Sequence, residues 1–532
     1  MTDESTAELD SPSRGISWAH ALFVGCFALV FVYYSYIPLW PTDIWGHVSY
    51  GEWILQHGEL PTDDPFVDLA RGTELIDTAW ASQLVFASAV KISGPEGVSY
   101  SFAIISVAIY LVVALLFVLR TGRLGLAVLC SGLTWLIAWE RHLVVRPELF
   151  GYLSFAGLLV LLTVTGIPGI GRQVGESSGQ CPSSARRWLI RCAMALLIIV
   201  WTNLHGSFAV GLVALGLVLV GAVVEQWICL RDLRKTLLDS EVRESFVLLV
   251  IATLSTLVNP YGIVLPVYVV GFGTHPNMAL ISEWQAPDLT GVTGIAVLTV
   301  SAMFLVSLKF RERRPVVTEW LLIGVFTLAV CTRQRMVTWY APVAVLVLAP
   351  VLLRCWRGFD SNEMFARIVV ILKRRSSVPT VLALLFLWLA FTFTPISQPI
   401  LGGRRRSAEQ LFNSRTPLGI TQALRKIKLP NPVANPQWWG DWLSWAGPRD
   451  MRFMMTTNTL HLVNPDVFQS YHAICWAKPG LEERLDDFQI RTLIVDVTLQ
   501  TELTAFVRSS PDWRIEYQDA AGIIATRISE RP

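Results

Sequence analysis

A carboxylate and an imidazole stand one helical turn apart in the segment PTDIWGHVSYGEWILQHGELPTDDPF, which begins at Pro41 after the first long apolar run. Read as a helix, this segment sets Asp43, His47, Tyr50, Ile54 and His57 on a single face. Asp43 is then the candidate catalytic group. It suits a general base, or with His47 it supplies half of a site for a divalent metal such as Mg or Mn. The plainer alternative is a cap, because Thr42 or Asp43 behind Pro41 closes a helix N-terminus with the same spacing. Ile44, Val48, Gly51 and Leu55 form an adjacent apolar face suited to lying along a bilayer surface. Asp63-Asp64 is a second acidic candidate, although Asp before Pro65 is also ordinary turn chemistry.

Cations gather in two further places. Glu140, Arg141, His142, Arg146 and Glu148 crowd between two apolar runs, where charge is costly unless paired or used. Arg141 and Arg146 suit a lipid phosphate, since guanidinium binds phosphate oxygens bidentately. Pairing with Glu140 and Glu148, or snorkelling to headgroups, explains them equally well. Arg333 and Arg335 lie on the side that positive charge avoids, which calls for a partner: a phosphate, or Glu283. Trp201, Asn203 and His205 end another run, where His205 is either a ligand-binding group or a satisfied structural histidine. The expected substrate-binding set is therefore His47, Asp63, Asp64, Arg141, Arg146, His205, Glu283, Arg333 and Arg335.

The elements that must position these groups are membrane spans. Of 532 residues, 53% are hydrophobic and only 16% charged, and the mean hydropathy is +0.49. A soluble chain carries about 25% charged residues, so a soluble enzyme is excluded. Windows of about 15–20 apolar residues predict about eleven spans. They lie near 19–39, 99–119, 124–139, 149–167, 188–203, 207–228, 245–265, 292–308, 316–331, 337–353 and 378–395. The first has an acidic flank, Met1–Asp10, and no small-residue cleavage site before Trp40-Pro41, so it reads as a true span. Asn259-Pro260-Tyr261-Gly262 reads as a helix-ending turn. A net charge of +2 gives no reason to invoke nucleic acid, and the eight cysteines contain no CxxC.

Alternate loops carry twenty Lys and Arg against six in the others. That bias puts the N-terminal tail 1–18 in the cytoplasm, the spans at 19–395, and residues 396–532 outside. The expected outward loops include 41–98, 139–148, 203–206, 259–291 and 332–336, and 171–185 is a polar insert on the inner side. The tail alternates short strands, Arg452–Thr456, Arg491–Val495 and Gly522–Thr526, with helices over Pro465–Ala477 and Leu499–Arg508. It reads as a small external α/β domain. Trp438, Trp439, Trp442 and Trp445 within it either stack on sugars or pack its core and anchor it on the membrane.

The string D-x-W-x-H-x-x-x-G-x-x-I-x-x-x-G-x-x-P-x-x-D-P-F, running from Asp43 to Phe66, resembles bacterial membrane proteins of the GT-C glycosyltransferase type. These are relatives of protein mannosyltransferases and of sugar transferases with polyprenyl-phosphate donors. Arg146-Pro147-Glu148-Leu149, Trp201–Gly206, Asn259–Gly262, Glu283-Trp284-Gln285-Ala286-Pro287, Trp439-Gly440-Asp441-Trp442-Leu443 and Trp513–Asp519 extend the resemblance over most of the chain. It implies inverting transfer of a sugar from a polyprenyl-phosphate donor to a glycan, lipid or protein acceptor at the outer face of the inner membrane. Asp43 takes the position of the family's general base, and Arg141, Arg146, Arg333 and Arg335 would neutralise the departing phosphate. Many members carry paired acids, whereas Asp43 is flanked by Thr42 and Ile44, which leaves the metal open. The competing classes are a transporter or flippase of a lipid-linked solute and a non-catalytic envelope scaffold. A transporter would place ionisable groups near the bilayer midplane in paired, broken helices.

Overall fold

The computed structural model describes residues 15–166, 183–310, 315–360 and 363–528. The N-terminal tail as far as Arg14 and most of the polar insert expected at 171–185 lie outside the described residues. A two-residue strand β1 (Ile16–Ser17) leads into α1 (Trp18–Tyr36), followed by α2 (Ile44–His57), α3 (Trp80–Ser93), α4 (Glu96–Thr121), α5 (Leu124–Ile137) and α6 (Glu148–Thr165). Then come α7 (Ser184–Leu204), α8 (Phe208–Leu230), a short α9 (Leu233–Leu238), α10 (Ser240–Ser255), α11 (Val264–Phe272), α12 (Val292–Ser307), α13 (Val317–Thr332) and α14 (Val337–Asp360). After α15 (Glu363–Lys373), β2 (Arg375–Ser376) pairs antiparallel with β1, and α16 (Ser377–Thr392) packs along α1.

Ten of these helices stand where spans were expected. By length and apolarity α1, α4, α6, α7, α8 and α14 are each able to cross a bilayer, and α16 with the 81° bend after it makes a seventh candidate. The helices α5, α12 and α13 are apolar but shorter. The run expected as one span over 245–265 is not one helix. α10 stops at Ser255, and the Asn259 side chain caps the break, donating to the carbonyls of Thr256 (2.7 Å) and Gly262 (2.9 Å) while accepting from the Tyr261 amide. Pro260 has no amide to continue the helix, and Gly262 takes φ +54°.

The apolar face of α2 does not lie on a bilayer. Ile44 and Val48 are buried against α3 and the C-terminal part of the chain, and Leu55 alone of that face is exposed. Gly51 makes the approach to α3 possible, since a Cβ there would stand 2.2 Å from the Gln83 carbonyl oxygen.

The C-terminal part contains α17 (Gln398–Leu401), α18 (Ala408–Leu411), α19 (Leu418–Lys426), β3 (Val433–Ala434), α20 (Gln437–Ala446), α21 (Pro465–Cys475), α22 (Leu481–Asp487), β4 (Thr492–Asp496), α23 (Thr501–Ser509), β5 (Trp513–Gln518) and β6 (Gly522–Arg527). Its sheet runs β3-β4-β6-β5, with β3 parallel to β4 and the other pairs antiparallel. The strand expected at Arg452–Thr456 is an irregular segment. Asn435 Oδ1 takes the amides of Met454 (2.9 Å) and Met455 (3.3 Å), and the Met454 amide also reaches the Val433 carbonyl of β3 (3.2 Å). Helix α20 docks on α2 through aromatic rings: Trp45 meets Trp442 at 5.2 Å and Trp445 at 4.3 Å between centroids. Trp439 and Trp442 are core residues.

Candidate active site

Asp43 precedes α2 with helical backbone angles, φ −50° and ψ −22°, and its side chain caps no amide. The carboxylate instead turns to Arg146, whose Nε is 3.4 Å from Oδ1. One turn on, His47 Nδ1 meets Gln83 Nε2 of α3 at 3.2 Å, and the same amide nitrogen donates to Asp77 Oδ1 at 3.0 Å. Burial holds His47 down at about 4 against the pull of Asp43, and holds Asp77 up at about 6. Tyr50 continues this face. His57, also expected on it, is exposed and stacked on Trp53.

Facing Asp43 is a chain of alternating charge. Arg335 reaches Glu148 (3.4 Å), Glu148 binds Arg141 (2.6 Å), Arg141 binds Glu283 (2.8 Å), Glu283 binds Arg146 (2.6 Å), and Arg146 reaches Asp43. Burial opposes the charge on Glu283, but Arg146 and Arg141 overcome it and hold the carboxyl at about 2. Arg333 differs from its neighbours. Its guanidinium donates to the Gly273 carbonyl (3.1 Å) and lies 5.2 Å from the Trp284 ring, and among the described residues it has no carboxylate in ion-pair range. Arg335 covers the same ring at 4.4 Å.

These groups line a cleft of about 610 Å³. One half is polar, with Asp43, His47, Asp77, Gln83, Arg146, Glu148, His205, Glu283, Arg333 and Arg335. The other half is apolar, formed by Val210 and Val213 of α8, Val269 and Val270 of α11, and Val325 and Phe326 of α13. Val213 is 50% and Val270 76% exposed, so this half opens sideways onto an exposed apolar surface. The C-terminal part closes the cleft with Thr457, Asn458 and His461. Asn458 Nδ2 donates to the Asp43 carbonyl (3.2 Å) and to Asp441 Oδ1 (3.0 Å), tying α2 to α20.

Of the eight expected site residues besides Asp43 and His47, the fold brings five to the cleft: Arg146, His205, Glu283, Arg333 and Arg335. Three others do not line it. Asp63 accepts the Gly72 amide at 3.0 Å in an exposed turn. Asp64 is buried, bonded to the Tyr50 hydroxyl and to the amides of Phe66 (2.7 Å) and Val67 (2.8 Å), which is the turn chemistry that Asp before Pro allows. Arg141 lies behind the cleft wall, lining a separate cavity of about 200 Å³ with Glu140, Arg146 and Glu283. Glu140 pairs with neither arginine and accepts from Thr293 (2.9 Å). Asp77, Gln83, Tyr268, Asn458 and His461 escaped the sequence reading, because single polar residues in irregular or short segments carry no periodic signal.

The donor set does not fit the divalent metal expected at Asp43 and His47. Among the described residues no three His, Cys, Asp or Glu side chains group as a metal site, and the neighbour of Asp43 is the Arg146 cation.

Solved structures of the same shape decide the fold. The oligosaccharyltransferase AglB of Archaeoglobus fulgidus, in complex with an inhibitory peptide and a dolichol-phosphate, superposes with a TM-score of 0.56 at 14% identity, over 90% of this chain and 70% of that one. ArnT of Cupriavidus metallidurans bound to undecaprenyl phosphate superposes with a TM-score of 0.52 at 13% identity, over 96% of this chain and 98% of that one. The chain has the GT-C fold. No protein-family model matches it, and no curated protein matches it. Arg333, Arg335 and Trp284 line the cleft together, both guanidinium groups lying over the indole ring.

Proposed function

We propose that the protein is a membrane glycosyltransferase that moves a sugar, with inversion, from a polyprenyl-phosphate donor to an acceptor on the outer side of the inner membrane. One observation carries this reading: a single cleft joins Arg333, a guanidinium with no carboxylate in ion-pair range among the described residues, to an exposed apolar groove and to a carboxylate free of capping duty, Asp43. The polyprenyl chain lies in the groove between α8, α11 and α13, and its phosphate meets Arg333 and Arg335. The cleft lining carries Arg146, Arg333 and Arg335, guanidinium groups whose planar forks suit phosphate oxygens. Asp43 takes the proton of the acceptor hydroxyl as it attacks the anomeric carbon. The bond to the phosphate oxygen breaks, and the arginines stabilise the charge that collects there more than they stabilise the ground state. The dolichol-phosphate and undecaprenyl phosphate bound to AglB and ArnT support a lipid phosphate of this kind.

The test is transfer of radiolabelled sugar from a panel of polyprenyl-phosphate sugars in membranes carrying the wild type or Asp43→Asn. Removing a general base lowers turnover by about 10²–10⁴-fold, so activity should vanish at unchanged protein level. Turnover that survives in Asp43→Asn removes Asp43 from the mechanism.

A further inference from the structure

The wall of the cleft that carries Asp77, Gln83 and His47 has hydrogen bonds of fixed direction. Asp77 Oδ1 accepts the Ala79 amide (2.9 Å) and Gln83 Nε2 (3.0 Å). A carboxylate oxygen there sets the amide nitrogen of Gln83 on this side, because the alternative flip would press its oxygen against Asp77. The same nitrogen reaches His47 Nδ1 at 3.2 Å. An amide nitrogen donates and does not accept, so Nδ1 is the acceptor and the ring proton of neutral His47 sits on Nε2. His205 reaches the same state by another route, since the Ser207 backbone N–H meets its Nδ1 at 3.1 Å. Both rings line the cleft. Burial keeps both near 4, hence neutral at pH 7; the charged groups acting on His47 are Asp43 from the head of α2 and Arg146 from the loop before α6, and His205 feels Glu148, Arg335 and His47.

We propose that Asp77 and Gln83 are positioning residues that fix His47 as an Nε2–H donor turned to the cleft, so that His47 and His205 present two neutral N–H groups to hydroxyl oxygens of the transferred sugar. The choice of donor matters to the base. An imidazolium at His47 would pair with Asp43 and lower its basicity, whereas a neutral N–H binds a sugar oxygen and leaves the carboxylate for the acceptor. The sugar as ligand rests on the transferase reading; the tautomer does not.

The experiment is nitrogen NMR of the full chain, labelled with 15N-histidine and held in lipid nanodiscs at pH 7, with the His47 signals assigned by their loss in His47→Gln. The wild type should show His47 with Nδ1 bare and Nε2 protonated. Gln83→Glu is nearly isosteric but only accepts, so it should move the His47 proton to Nδ1 or charge the ring while leaving His205 unchanged. Asp77→Asn keeps an acceptor oxygen for Gln83 and should retain the Nε2–H form, and Asp77→Leu should mix the two tautomers. A wild-type His47 that is charged or protonated on Nδ1, or a Gln83→Glu protein with unchanged His47 signals, overturns the proposal even if no variant folds poorly. Turnover should fall on the order of 10²-fold in Gln83→Glu, the usual effect of losing one preorganised donor. Unchanged turnover beside a switched tautomer would overturn the role of His47 toward the sugar. A wild type inactive with every donor but with the expected nitrogen shifts would sink the transferase reading alone.

Discussion

In the proposed mechanism Asp43 and Arg333 divide the chemistry at the scale of single residues. The carboxylate is available for the proposed role of base because its helix is entered without it, and Arg333 is held by a carbonyl and a ring rather than by an acid. Replacing Arg333 with Ala should therefore lower turnover about 10²-fold with little effect on folding, measured beside a thermal melt of the same preparation. Glu283 is the opposite case. It separates Arg141 from Arg146, and Glu283→Gln leaves two largely buried guanidinium groups facing each other. Breaking a buried ionic cluster costs about 3 kcal/mol, so the melting temperature should fall clearly in this variant and stay put in Arg333→Ala. The ambiguity in the sequence at Asp43, cap or catalyst, was genuine, since the two readings share one spacing and differ only in backbone angles.

Between α2 and α20 the contact is close enough to be tested by one methyl group. A Cβ on Gly46 would stand 2.1 Å from Asp441 Oδ1 and 2.4 Å from Asn458 Nδ2, so Gly46→Ala should push α20 away at a cost of about 1–3 kcal/mol and expose the C-terminal part to limited proteolysis. The same contact has a pH dependence. Burial first, and the Asp43 charge second, push the Asp441 carboxyl up to about 7 from its ordinary value of 3.8. The folded chain thus binds this proton more tightly than the unfolded chain does. The resulting stability is fully present below the ordinary carboxylate range and is lost as pH rises through about 7. Melting temperature should fall from pH 5 to pH 8, and Asp441→Asn should flatten that slope; an equal slope in both proteins would remove Asp441 as its source. None of this was legible beforehand. The apolar face of α2 suggested a bilayer because Ile44 and Val48 look the same whether lipid or protein covers them.

Across the whole molecule the cleft is assembled from distant pieces: α2 and α3, the loop before α6, the link between α7 and α8, α11, the turn before α14, and Asn458 with His461 from the C-terminal part. Its ionisable groups sit at helix ends rather than mid-span, which distinguishes it from the midplane site of a transporter. The sideways opening predicts where the lipid lies. A polyprenyl phosphate carrying a photoreactive group in its chain should crosslink Val213, Val270 or Val325, and Val270→Trp should reduce both labelling and turnover. Labelling confined to other helices would move the groove elsewhere.

The sequence by itself determined the membrane class, the positions of ten apolar helices, the turn at Asn259–Gly262 and the kinds of residue available for chemistry. Composition and periodicity are local properties, and they survive whatever the helices later pack against. It also predicted the two central strands β4 and β6, whose apolar runs are continuous, but not the edge strand β5, which is mostly exposed and reads as polar. Only the tertiary structure decided which acid met which arginine. Arg141 and Arg146 share one sequence neighbourhood, yet one is sealed behind Glu283 and the other faces Asp43, because their partners come from residues more than a hundred positions away. The same holds for Asp64, spent on two amides, and for Gln83, a single amide that meets both Asp77 and His47.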